Sequence, residues 1–158
     1  FEYKVRITNE GEIAGYAKEI KDRIPDGLEF EEADNPNWKM LEDGTVVTDE
    51  LKDKLLQPGE SAEVIIVLKW INSPTNLGVK INFAEISKDH NDYGTPDIDS
   101  TPNNNVPGED DIDDAPVMLT VKTGSQDLKY MLAILVVLTA LVGSVSLLKK
   151  NLQKNKYN

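Results

Sequence analysis

Ten of the 28 acidic residues fall between Glu85 and Asp114, with Lys88 the only lysine or arginine among them. Asp97-x-Asp99 sets two carboxylates two residues apart, Asn103 to Asn105 add amide oxygens, and Glu109-Asp110-Asp111-x-Asp113 supplies a second group. Side chains that offer only oxygen suit hard cations, and calcium gathers about six to eight such ligands. The expected ligands of Ca2+ are therefore Asp97, Asp99, Asn103, Glu109, Asp110, Asp111 and Asp113. The spacing is not that of an EF-hand, because Pro102 stands where that loop needs glycine and Gly108 where it needs glutamate. A solvated acidic linker is the competing reading, since blocks of like charge are often disordered. The chain must re-enter a sheet after this segment, so its carboxylates cannot all drift apart, and crowded like charges want a counter-ion.

Other chemistries fit less well. Without cysteine there is no disulfide, thiolate nucleophile or Cys-ligated zinc. His90 is the single histidine, close in sequence to Asp89, Asp92 and Ser100, but nothing in that spacing builds a Ser–His–Asp relay. Ten acids on one segment suit a cation better than the paired carboxyls of a glycosidase. The expectation is that the protein is not an enzyme. Lys4 falls on the polar side of its strand, whereas an intramolecular Lys–Asn bond needs a buried lysine. The net charge of −11 repels phosphate backbones, so no nucleic-acid partner is expected.

The elements around this segment read as strands. Phe1, Tyr3, Val5 and Ile7 alternate with Glu2, Lys4, Arg6 and Thr8 before a turn at Asn9-Glu10-Gly11. Tyr16, Ile20 and Ile24 continue at mostly even spacing to the Pro25-Asp26-Gly27 turn, and Leu28 to Phe30 reads as a short strand. Glu42-Asp43-Gly44 turns a hairpin between Trp38–Leu41 and Thr45–Thr48. Residues Asp49 to Leu56 are compatible with one or two helical turns. The run AEVIIVLKWI from Ala62 is apolar on both faces, which places it centrally in a sheet. Leu77, Val79, Ile81 and Phe83 form the expected inward face of the next strand, and Val117, Leu119 and Val121 that of the last. Trp38 and Trp70 read as core residues. Seven or eight short strands separated by turns predict an all-β, antiparallel β-sandwich over residues 1–123, with residues 85–114 as its acidic loop.

A different pattern follows a short linker at 124–129. Tyr130 to Leu148 contains no charged residue. As a helix it would extend roughly 28 Å, close to the hydrocarbon thickness of a bilayer. Lys149, Lys150, Lys154 and Lys156 follow it without any acid. The lysine bias predicts a single transmembrane helix over 130–148, a basic cytoplasmic tail over 149–158, and everything earlier outside the cell. The chain opens at Phe1 inside a strand pattern, as expected of the C-terminal piece of a longer exported protein.

Three stretches, Tyr3-Lys4-Val5-Arg6-Ile7-Thr8-Asn9-Glu10-Gly11, Ile24-Pro25-Asp26-Gly27-Leu28-Glu29-Phe30 and Leu56-Gln57-Pro58-Gly59-Glu60-Ser61, resemble the conserved repeat domain of Gram-positive bacterial surface proteins. The match covers residues 1 to about 86. Asp97-Ile98-Asp99-Ser100-Thr101-Pro102-Asn103-Asn104, with Glu109-Asp110-Asp111 after it, resembles acidic segments of large adhesins, including the calcium-binding B repeats of serine-aspartate repeat proteins. This resemblance implies an immunoglobulin-like sandwich, further domains upstream, and a stalk or adhesive role in which a host or matrix ligand is bound upstream. Here the acidic segment sits inside the repeat-like domain, so individual ligand roles do not transfer. Thr123-Gly124 before the apolar run looks like a sortase signal, but Thr120 and Val121 stand where that signal needs leucine and proline. Retention as a membrane protein is the preferred expectation and wall anchoring the alternative. The combined reading is a non-enzymatic, membrane-proximal stalk module stiffened by calcium, against a metal-free spacer.

Overall fold

A computed structural model describes residues 1–120. Eight strands succeed one another: β1 (Glu2–Thr8), β2 (Tyr16–Arg23), β3 (Leu28–Phe30), β4 (Trp38–Met40), β5 (Val46–Thr48), β6 (Ser61–Trp70), β7 (Gly78–His90) and β8 (Ile112–Leu119). The only helical element among the described residues is a 3-10 turn at Glu32–Asp34. Strands β1, β6 and β3 form one sheet in that order, and β4, β5, β2, β7 and β8 form the other. Every pairing is antiparallel.

Alternation in the sequence decides which faces meet. From the smaller sheet, Ile7 of β1, Leu28 of β3, and Val64, Ile66 and Leu68 of β6 are buried. From the larger sheet, Ala17 and Ile20 of β2, Trp38 of β4, Val46 of β5 and Leu119 of β8 are buried with them in one apolar cluster. Two antiparallel sheets joined through a shared core are consistent with a β-sandwich, as the strand count predicts. Strand β6 is the middle strand of its sheet, in line with its apolar composition, although Ile65 on its far face is exposed.

Polar side chains finish what the strands leave open. Along one edge of β6, the Asn35 amide donates to the Val67 carbonyl at 2.9 Å and accepts from the Val67 N–H at 2.7 Å. The Trp38 indole N–H donates to the Ile65 carbonyl at 2.7 Å. A side-chain amide thus stands in for a strand partner, satisfying backbone groups that burial would otherwise penalise. Trp38 is a core residue as expected, and Trp70 packs against the core while half-buried.

After the Asn9 turn the chain crosses to the opposite sheet, where β2 lies; Asn9 donates to the carbonyls of Ile13 and Leu56, both at 2.8 Å. Three expectations change. Residues 49–56 form turns rather than a helix, with Leu51 and Leu56 buried. Strand β7 presents the opposite face to the one predicted: Val79 and Ile81 are 54% and 41% exposed, whereas Asn82 is 3% exposed. Pairing is the reason, since β7 sets Ala84 beside Asp22 and Ile86 beside Ile20, and Ile20 faces the core. Finally, β7 runs to His90 and β8 starts at Ile112, so Glu85, Asp89, Asp113 and Asp114 are strand residues and the loop proper is 91–111.

No helix among the described residues is long and apolar enough to cross a membrane. The predicted linker at 124–129, span at 130–148 and tail at 149–158 lie outside the described residues, as does Thr123.

Candidate metal centre

Positive backbone angles shape the loop between β7 and β8. Asn103 and Asn105 hold φ of 64° and 55°, a conformation that asparagine tolerates better than other residues carrying a Cβ. The turns they make present backbone N–H groups to carboxylates. Asn105 N–H donates to Glu85 Oε1 at 2.9 Å. Thr101 N–H and the Asn104 amide donate to Glu109 Oε2 at 3.0 and 2.8 Å. Lys21 of β2 reaches over to donate to the Asn103 side-chain oxygen at 2.5 Å.

Glu85 anchors the loop to the larger sheet. Its side chain is fully buried, and Oε2 lies 2.5 Å from Arg23 Nη2. Burial pushes its pKa up, but the Asn105 N–H and Arg23 outweigh that and hold it below the usual carboxylate range. A charge buried with a partner and two hydrogen bonds is tolerable where an isolated one is not.

Three of the seven predicted ligands converge. Carboxylate oxygens of Asp97, Asp99 and Asp110 all lie within 4.8 Å of one another, and the three residues are exposed. Two oxygens on one calcium, each at about 2.4 Å, can be up to about 4.8 Å apart, so three carboxylates at this separation can share an ion. Asp97 is held in place by the Ser100 hydroxyl at 2.6 Å and the Ile98 N–H at 2.7 Å. The Ser100 bond is the main reason its pKa is lowered. Asp99 moves the other way, raised chiefly by the charge of Asp110 and then by its hydrogen bond to Asp97. Such opposed shifts mark carboxylates crowded together.

The other four predicted ligands do other things. The oxygen of Asn103 accepts from Lys21, and Glu109 clamps the loop. Asp113 is exposed in β8 opposite Ala84. Asp111 is 8% exposed and neither carboxylate oxygen has a hydrogen-bond partner. Burial first, then the charges of Glu85, Glu109 and Asp110, push its pKa up to about 6. At the end of β7, His90 stacks on Tyr16 with ring centroids 6.1 Å apart and meets Asp92 at 3.5 Å, while Ser100 within the loop donates to Asp97. Lys4 is exposed.

Sequence reasoning passed over a second buried polar group. Asp22 is fully buried in β2, and Asn82 of β7 donates to its Oδ2 at 2.6 Å. Asp22 falls midway between Ile20 and Ile24, so its inward direction was readable from the alternation of that strand. Asn82 was concealed by the apolar Val79 and Ile81 that flank it on the other face.

Comparison of the chain with protein-family models, with curated proteins and with solved structures finds no match.

Proposed function

We propose that this chain is a non-enzymatic, membrane-proximal stalk module of a bacterial cell-surface protein of the adhesin type, with an immunoglobulin-like sandwich stiffened by calcium. The observation that carries this reading is the meeting of Asp97, Asp99 and Asp110 on a loop already pinned to the sheet by Glu85. A cation held there would lock the exposed part of the loop to its anchored part. Because all three carboxylates are exposed, water would complete the coordination shell. Affinity would then fall in the range of extracellular modules, roughly 10⁻⁴ to 10⁻³ M.

The anchoring part of the proposal rests on the uncharged run Tyr130–Leu148 and the lysines after it. It orients the sandwich outside, the tail in the cytoplasm, and the upstream domains of the same chain away from the membrane, where any host or matrix ligand would be bound. Retention by the helix is preferred to sortase processing, because Thr120 and Val121 depart from the sorting signal.

A metal-free spacer is the second reading. It is favoured by the hydrogen bonds from Asn105 to Glu85 and from Thr101 and Asn104 to Glu109, which hold the loop without an ion. Calorimetric titration of the full chain in detergent separates the two. The calcium-stiffened module binds calcium, with binding diminished by Asp97→Asn together with Asp99→Asn. The spacer gives no binding heat.

A further inference from the structure

A cleft of about 220 Å³ lies between β1 and β8, the free edge strands of the two sheets, and it is separate from the exposed triad. Tyr3, Val5 and Ile7 border it on one side and Asp110, Asp111 and Asp113 on the other. Its acidic end is built by strand geometry. The Ile86 N–H donates to the Asp111 carbonyl at 2.8 Å, extending the β7–β8 ladder by one residue. Asp111 therefore shares a side of β8 with Asp113, Val117 and Leu119, the side that packs against the core. Two residues apart on a strand is roughly 7 Å, close enough for two carboxylates to turn toward one ion.

Asp111 is unlike any acid of the triad. It is only 8% exposed, and both its oxygens are buried without a partner. Arg23 pairs with Glu85 through Nη2 while its Nη1 is buried without a partner, and Arg6 pairs with Glu63 at 2.8 Å. A water molecule could donate to Asp111 but would leave its charge uncompensated beside Glu85, Glu109 and Asp110. The ligand that resolves such a site is a hard cation, and the donor set is oxygen throughout.

We propose that the Asp111 end of this cleft is an internal divalent-cation site, suited to calcium, with Asp111 as the buried ligand and Asp113 closing over the ion from the solvent side. The ion would tie the turn at Asp111 to the first residues of β8 at the acidic end of the cleft. Lys4, which also borders the cleft, is the rival counter-charge. This inference stands on Asp111 and is independent of the triad.

The test uses the full chain in detergent, with calcium as the probe. In the Asp97→Asn, Asp99→Asn background, calcium binding persists and raises the melting temperature, and adding Asp111→Asn abolishes both. In chelator, Asp111→Asn melts at or above the parent, because it removes an uncompensated buried charge. Lys4→Gln leaves the calcium response intact. The inference is overturned if the double variant binds no calcium, if Asp111→Asn leaves its binding unchanged, or if Asp111→Asn lowers the melting temperature in chelator. Loss of all binding in the double variant would sink the internal site alone and leave the triad standing; absence of binding in the parent would sink both.

Discussion

Arg23 of β2 and Glu85 of β7 meet diagonally across the strand pair, Nη2 to Oε2 at 2.5 Å, with the glutamate side chain fully buried. One ion pair on the outer side of the larger sheet thus fixes where the acidic loop sits, because the same carboxylate accepts the Asn105 N–H. The loop is fastened at its base before any cation is considered, while the triad occupies its exposed part.

Breaking that pair should cost more than losing a surface contact. Arg23→Ala leaves the Glu85 charge buried, and removing one partner of a buried pair costs about 3 kcal/mol. Urea unfolding should show this loss, whereas Arg6→Ala, whose pair with Glu63 is exposed on both sides, should be close to neutral. Equal effects would mean that Glu85 does not anchor the loop.

Asp22 makes stability depend on pH in an unusual direction. Burial raises its pKa to about 7 from 3.8, with the Asn82 bond and Arg23 opposing only in part. The folded state holds this proton more tightly than the unfolded chain does, so its contribution is fully present below pH 3.8 and is lost as pH rises toward about 7. Across that window the loss is on the order of 4 kcal/mol. Measured in chelator, Asp22→Asn should flatten the pH profile and raise stability at neutral pH. An unchanged profile would remove Asp22 from the account.

Two glycines with positive φ should respond differently to a methyl group. At Gly27, φ is 94° and an added Cβ would lie 2.0 Å from Asn76 Oδ1. Asn76 also donates to the Gly27 carbonyl at 2.7 Å, so it cannot simply swing away without loss. At Gly44, φ is 83° and nothing lies within 4 Å. Gly44→Ala should therefore cost about 1 kcal/mol from backbone strain alone, and Gly27→Ala clearly more. Thermal unfolding of the two variants compares them directly.

Much of this fold was legible where alternation was clean. In β1, Tyr3, Val5 and Ile7 point inward as their period says, and so do Ala62, Val64, Ile66 and Leu68 in β6. Strand β7 misled, because both of its faces carry apolar residues and only its pairing with β2 makes Asn82 rather than Val79 the buried one. The site was legible as a composition but not as a geometry. Asp97 and Asp99 are neighbours in sequence, but Asp110 joins them only because the loop turns back through Asn103 and Asn105, both at positive φ. Glu109 and Asn103 look like ligands in the sequence and serve the loop as hydrogen-bond acceptors in the fold. Glu85 is buried because Arg23 and the loop at Asn105 close over it, which the spacing of the acids does not encode.

The most direct test is the melting temperature of the full chain in detergent, recorded by calorimetry in calcium and in chelator at one pH. With calcium at ten times Kd, one site stabilises the fold by about 1.4 kcal/mol, so the calcium curve should lie several degrees higher. Superimposable curves would contradict the account.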